Sequence, residues 1–367
     1  MKRAKKQEKK AELQNESQSE AKAKAQTQSK ARGKTQSKTR SPQSKPAKNG
    51  AEPRSTTVGE FACQVIAEQF ERITKQTKRV LADQDPEPLH QMRVGSRRLR
   101  TALQVFESAI EIPKVANARR LRDLARTLGE LRDLDVQMAS LGESYLPNLN
   151  GKEQKRLGDV LDSLGRQRIE AFKQVESALT KKQYQQLRNA YKTWLEQPQL
   201  TNLSQLPLTS VLPDLLSPLL SELLLHPGWF ISIDDVSEEN SEVLHDLRKA
   251  CKHVRYQAEF FVSFYGDEFG DWVKEIKQLQ DDLGLLQDTQ VLKDLLSREL
   301  GDRSKMPGLN ALIRQEQKAS LSKWEEVRQK YLDTGFRYHL HERLLQPADR
   351  ATKVHPELIE RQPAEQN

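Results

Sequence analysis

Four protonatable or cationic side chains recur at spacings of three and four: His90, Arg93, Arg97 and Arg100, then, 155 positions on, His245, Arg248, Lys252 and Arg255. At about 100° per residue, each set falls within roughly one quarter of a helix circumference. Met92, Leu99, Leu103 and Phe106 form a separate apolar stripe, as do Leu247, Val254, Ala258 and Phe261 in the second copy, and a core takes that stripe. Like charges three and four apart on a helix repel by a few tenths of a kcal/mol, a cost that a bound anion relieves. Rows of guanidinium groups suit a polyanion with regularly spaced phosphates, which they meet through bidentate, charge-assisted hydrogen bonds. His90 and His245 add charge when protonated, and an adjoining phosphate favours that form.

The duplication extends beyond the basic rows. Without a gap, Asp85 aligns with Asn240, Phe106 with Phe261, Leu128-Gly129 with Leu283-Gly284, Asp133 with Asp288 and Val136 with Val291. The helix after each row adds charge on one face, through Arg119, Arg122 and Arg126 in the first copy. The second copy has Lys274, Lys277 and Asp281 there, so the third position reverses sign. Asp133 and Asp288 fall near these faces and are read as partners of the arginines rather than as site groups.

The elements that must position these groups are helices. Val58, Phe61, Val65, Ile66, Phe70 and Ile73 predict a first helix that ends before Asp85. The first basic row then rides on a helix with Asp85 as N-cap and Pro86 in its first turn, running to Pro113. A third helix is expected over Lys114 to Leu141 and a fourth over Lys152 to Leu179. A shorter one ends near Pro198, and the polar stretch Glu196 to Pro207 links the halves. The second half repeats the order: a Leu-rich segment over 211–225, the second row over 241–265 closed by Gly266, and helices over about 268–299 and 308–333. Trp229 to Ile233 reads as a loop or a short extended piece.

The fold class that follows is all-α, two tandem bundles of roughly four helices each, related by a pseudo-twofold axis and preceded by a disordered basic tail. Residues 1–54 are the tail, 55–198 the first bundle, 207–345 the second and 346–367 a polar C-terminal tail. If the bundles meet through their basic faces, the two rows confront each other across a shared cleft.

Net charge conceals this arrangement. The chain has 367 residues and a formal charge of +8, but residues 1–54 hold 16 Lys and Arg against 5 Asp and Glu. The remainder carries 44 basic against 47 acidic residues, so anion binding there must come from where the charges sit. The tail is almost free of large apolar side chains and reads as a disordered electrostatic arm. Cys63 and Cys251 are too few for a disulfide framework and are expected to be buried thiols. The N-terminus has no secretory apolar region, and the Leu-rich segment is short and broken by Pro213, Asp214, Pro218 and Glu222. A soluble cytoplasmic protein without a membrane partner is expected.

The paired pattern H-x-[ML]-R-x-x-x-[RK]-x-x-R, each followed about 30 residues on by Leu128-Gly129-Glu130-Leu131-Arg132-Asp133 or Leu283-Gly284-Leu285-Leu286-Gln287-Asp288, resembles the CHAD family of histidine-containing α-helical domains. The resemblance covers about residues 57–340. It implies two four-helix bundles around a central basic cavity that binds inorganic polyphosphate; the expected function is binding without catalysis, and targeting to polyphosphate granules is one role open to such a protein. Carried onto this chain, the implied contacts are His90, Arg93, Arg97, Arg100, Arg119, Arg122 and Arg126, with His245, Arg248, Lys252, Arg255, Lys274 and Lys277. Neither a cofactor nor a metal is implied. His253 in place of Arg98 and Asp281 in place of Arg126 predict a weaker grip by the second half.

Three other readings compete. A polyphosphate-processing enzyme would need carboxylates clustered around Mg²⁺ or the E-x-E-x-K strand of a triphosphate tunnel, and no two glutamates lie two positions apart. A histidine phosphoacceptor would use His90 or His245, yet both lie within arginine rows. Nucleic acid would be bound nonspecifically, because the basic faces carry no interleaved aromatic side chains for stacking.

Overall fold

The computed structural model describes residues 56–235, 240–301 and 305–347. The first half contains α1 (Val58–Ala82), α2 (Glu87–Val105), α3 (Ala118–Ala139), α4 (Gly151–Thr180) and α5 (Lys182–Glu196). The second contains α6 (Leu208–Leu224), α7 (Ser241–Ala258), α8 (Asp267–Leu300), α9 (Pro307–Ser320), α10 (Trp324–Leu332) and α11 (Thr334–Leu344). Shifted by 155, each helix of the first half falls on its counterpart; the long α4 corresponds to α9 and α10, separated by the 3₁₀ turn Leu321–Lys323.

The helix ends follow local chemistry. Thr57 and Glu60 form a reciprocal capping box at the start of α1, and Asn117 and Asn150 cap α3 and α4. At α2 the expected cap is displaced by one residue: Pro86 is the N-cap, and Asp85 instead accepts from the Glu87 amide at 2.9 Å. Both basic-row helices stop earlier than the pattern predicts, at Val105 rather than Pro113 and at Ala258 rather than near Gly266. After α2 the chain instead forms the short strand β1 (Ile110–Glu111), which pairs antiparallel with β2 (Gln199–Leu200) in the linker. Two residues per strand leave no alternation to read.

Pro213 and Pro218 do not break α6, which runs through both. Leu208, Leu212, Leu216, Leu220 and Leu223 are buried along it, so packing outweighs the propensity cost of proline. By length and composition alone Leu208–Phe230 is apolar enough to cross a membrane, and 44% of its most apolar window lies inside the protein. Beyond α6, Trp229 sits in a 3₁₀ turn, stacked on Tyr331 at 4.3 Å and Trp324 at 5.9 Å. Its indole donates to the Leu223 carbonyl. Cys251 is buried as expected, whereas Cys63 is only partly so.

The halves share one core. Neighbours pack in sequence within each half, α1 on α2 on α3 on α4 and α6 on α7 on α8 on α9, and α2 meets α7 across the boundary. Phe106 and Phe261, 155 residues apart, contact each other edge to face at 6.1 Å between centroids. Glu153 and Gly308, also 155 apart, meet as well: the Glu153 carboxylate accepts from the Gly308 and Leu309 amides at 3.0 and 3.1 Å and so caps α9. Equivalent residues touch only where a twofold relation brings them to its axis, so these pairs mark two points on the pseudo-dyad. A second apolar cluster around Leu157, Val160 and Leu164 of α4 meets Leu295, Leu296 and Leu309 of α8 and α9. It joins the halves again, away from the α2–α7 crossing.

Candidate polyanion-binding cleft

A cleft of about 790 Å³ lies between the halves, lined from the first by His90, Arg93, Arg132, Asp133, Gln137, Ser140, Ser144 and Tyr145. The second half contributes Arg248, Lys252, Asp282, Gln287, Asp288, Thr289, Glu316, Gln317 and Ser320. Its two-sided make-up follows from the duplication, since α2 and α7 cross at the boundary and present His90 and Arg93 of one row and Arg248 and Lys252 of the other to the same space. Ser140, Ser144 and Tyr145 come from Ser140–Tyr145, where α3 continues as π-helix, a local widening common at functional sites.

Two glycines explain how the arginines reach the cleft. Gly129 lies beneath Arg93, where an added Cβ would come within 3.6 Å of Nε. Gly284 lies beneath Arg248, where it would come within 3.2 Å of both Nε and an Nη. The Leu-Gly pair in each repeat thus leaves room for a guanidinium to cross α3 or α8, and Arg248 also donates to the Gln280 carbonyl at 3.4 Å. Asp133 pairs with Arg93 at 3.3 Å. As the sequence indicates, Asp133 is an arginine partner, and it faces the cleft as well.

Electrostatics show that the rows converge. Lys252 is pushed down to about 8 by burial and by Arg97, Arg248, Arg93 and Arg255, in that order. Arg97, the equivalent position in the first half, heads the charged neighbours that lower Lys252, so the two rows approach each other here. Arg97 is itself lowered, first by burial, and lies over the Tyr256 ring at 4.0 Å. His245 is lowered by burial and then by Lys249 and Arg248, so it favours the neutral form. The Asp288 carboxyl is raised by burial and by Asp133, against the opposing pull of Arg248 and Lys252.

Not every implied contact reaches this space. His90, Arg93, Arg248 and Lys252 line it. Arg255 is 4% exposed, pairs with Glu259 at 3.4 Å and lies against Tyr256, so it sits beneath the floor. Arg97 occupies the same layer. Arg100 is close enough to Arg122 to be lowered by it after burial, and those two with Arg119 extend the positive surface of α2 and α3 beyond the lining residues. Arg126 pairs with Asp123 at 3.8 Å, Lys274 with Asp271 at 2.9 Å and Lys277 with Asp281 at 4.0 Å. His245 is also absent from the lining.

The motif rows do not reveal the hydroxyl and amide groups of Ser140, Ser144, Thr289 and Gln317, because these come from the π turn, α8 and α9 rather than from the row helices. Arg132 was legible only as a letter of the second motif. Among the described residues, no group of three or more His, Cys, Asp or Glu side chains assembles as a metal site.

A family model described as the CHAD domain matches residues 64–297, more than half of the chain. A crystal structure of the CHAD domain from the plant Ricinus communis has 22% identity and a TM-score of 0.55, with 80% of this chain and 94% of that chain covered. PptA from Streptomyces chartreusis has 16% identity and a TM-score of 0.49, with 78% of this chain and 99% of that chain covered. The Ricinus likeness shows the helical fold. No curated protein matches the chain.

Proposed function

We propose that this chain, which belongs to the CHAD domain family, binds inorganic polyphosphate in the cleft between its halves, as a binding protein rather than a catalyst. The observation that carries the reading is that Arg93 from the first half and Arg248 and Lys252 from the second line one cleft, close enough together that Lys252 is lowered by both arginines and by Arg97 beneath them. In the free protein these groups repel one another and shift Lys252 towards neutrality. A phosphate chain along the cleft would supply the missing counter-charge at several points at once, which a single small anion cannot do. Serine, threonine and glutamine side chains in the lining add donors to phosphate oxygens.

A polyphosphate chain has no bases to read, and the lining cations come without a run of aromatic stacking surfaces. Among the described residues Tyr145 is the lone aromatic side chain lining the cleft, and its hydroxyl donates to Glu316. The reading therefore favours polyphosphate over single-stranded nucleic acid. Cellular placement follows the ligand: the cytoplasm, at polyphosphate granules. The test is a competition for the full chain between long-chain polyphosphate and mixed RNA at equal phosphate concentration, with orthophosphate release followed in parallel. Preference for polyphosphate without release supports the reading. Preference for RNA, or steady release, overturns it.

A further inference from the structure

Lys252 is the one amine among the described residues lining the cleft. Its electrostatic surroundings are the guanidiniums of Arg93, Arg97, Arg248 and Arg255, with Asp288 from α8 also in reach. We infer that Lys252 is a carbonyl-reactive modification site and that the cleft takes phosphorylated aldehydes, the phosphate at Arg93 and Arg248 and the aldehyde carbon at the lysine Nζ. The inference uses the cleft's affinity for phosphate, part of the reading above, without requiring polyphosphate as the ligand.

Two conditions for a Schiff base are met together. Reaction needs the unprotonated amine, and in the free protein a lysine held near 8 is about half free amine at pH 8, against well under one per cent for an ordinary lysine; burial, the largest cause of the lowering, remains when a bound phosphate offsets the arginines. It also needs the carbonyl to dwell beside the nitrogen. Arginines holding the phosphate of the same small molecule raise its local concentration there, and a cleft of about 790 Å³ is within the range that holds such a ligand.

In the reaction the Nζ lone pair forms a bond to the aldehyde carbon while the carbonyl π pair moves to oxygen. A proton passes from nitrogen to that oxygen to give the carbinolamine. The hydroxyl then leaves with the second nitrogen proton as water, and a C=N bond remains. Neither oxidant nor reductant is consumed. The adduct places a covalently tethered phosphate among the arginines and closes the cleft to other anions.

The experiment incubates the full chain with pyridoxal 5′-phosphate at pH 8, traps imines with borohydride and maps labelled peptides by mass spectrometry. The expected result is labelling at Lys252 about tenfold above any other lysine, and about tenfold below that level with pyridoxal lacking the phosphate. Lys252→Arg should abolish this label with helical circular dichroism retained, whereas Lys75→Arg, in a surface pair with Glu71, should leave it. Labelling spread evenly over lysines, or equal labelling without the phosphate, overturns the inference. Selective labelling that long-chain polyphosphate fails to block would support the inference and count against the polyphosphate reading alone.

Discussion

Arg98 donates to Glu259 at 2.7 Å across the boundary between the halves, and their equivalents 155 positions away, His253 and Gln104, meet at 3.3 Å. The same contact made twice with its partners exchanged is what a twofold relation between the halves requires. The two versions differ in chemistry. Arg98 with Glu259 is a charge pair between side chains that are each 17% exposed, while Gln104 with His253 is a more open polar contact.

Glu259 also faces Arg255, so removing its carboxylate leaves a buried guanidinium without its counter-charge. Glu259→Ala is expected to destabilise the fold by about 3 kcal/mol. Gln104→Ala, at the equivalent position, should cost less than about 1 kcal/mol. Chemical denaturation of both variants measures the difference, and equal losses would contradict this account of the boundary.

Lys252 opposes stability in the free protein. Its folded value is about 8, below that of an ordinary lysine, so between pH 8 and about 10.4 the unfolded chain binds more protons and stability rises with pH. Below about 8 the destabilisation is present in full. Lys252→Met should therefore stabilise the free chain by on the order of 1–3 kcal/mol at pH 7 and remove that rise, while weakening polyphosphate binding. Denaturation from pH 7 to 10 would show it; a wild-type curve that falls or stays flat over this range, parallel to the variant, would refute it.

Gly129 and Gly284 should respond unequally to a methyl group. Gly284→Ala presses on Arg248 at 3.2 Å and should weaken polyphosphate binding several-fold. Gly129→Ala meets Arg93 at ordinary contact distance, 3.6 Å, and should bind nearly as the wild type does. Titration calorimetry with thermal melts separates loss of binding from loss of fold.

Binding should depend on both salt and pH. With Arg93, Arg132, Arg248 and Lys252 lining the cleft, displacement of counterions predicts a slope of log K against log salt of roughly −2 to −4 for a linear polyanion. Acidification should strengthen binding because His245, disfavoured as a cation by burial and neighbouring charges, gains a proton once an anion offsets those charges. Above pH 8, loss of the Lys252 proton should weaken binding. An affinity indifferent to salt would remove the electrostatic basis.

The basic rows, the repeat, the helical architecture and most helix ranges were legible in the sequence, because each is a spacing or a cap. The depth of each cation was not. Arg97 and Arg255 occupy row positions as favourable as Arg93 and Arg248, and only the packing of Tyr256 between the halves puts them under the floor. The glycines of the second motif could be seen without their purpose, which depends on the side chain of another helix. The early ends of α2 and α7 were hidden too, since apolar residues continue past Val105 and Ala258 into turns that bury Phe106 and Phe261.

The most direct measurement is calorimetric titration of long-chain polyphosphate into the full chain and into its Arg93→Glu/Arg248→Glu variant, with circular dichroism to verify the fold. These arginines line the cleft on either side of the pseudo-dyad. The account predicts unchanged helicity and a loss of affinity of about a hundredfold or more. Undiminished binding by a folded variant would contradict it and would move polyphosphate recognition outside the cleft.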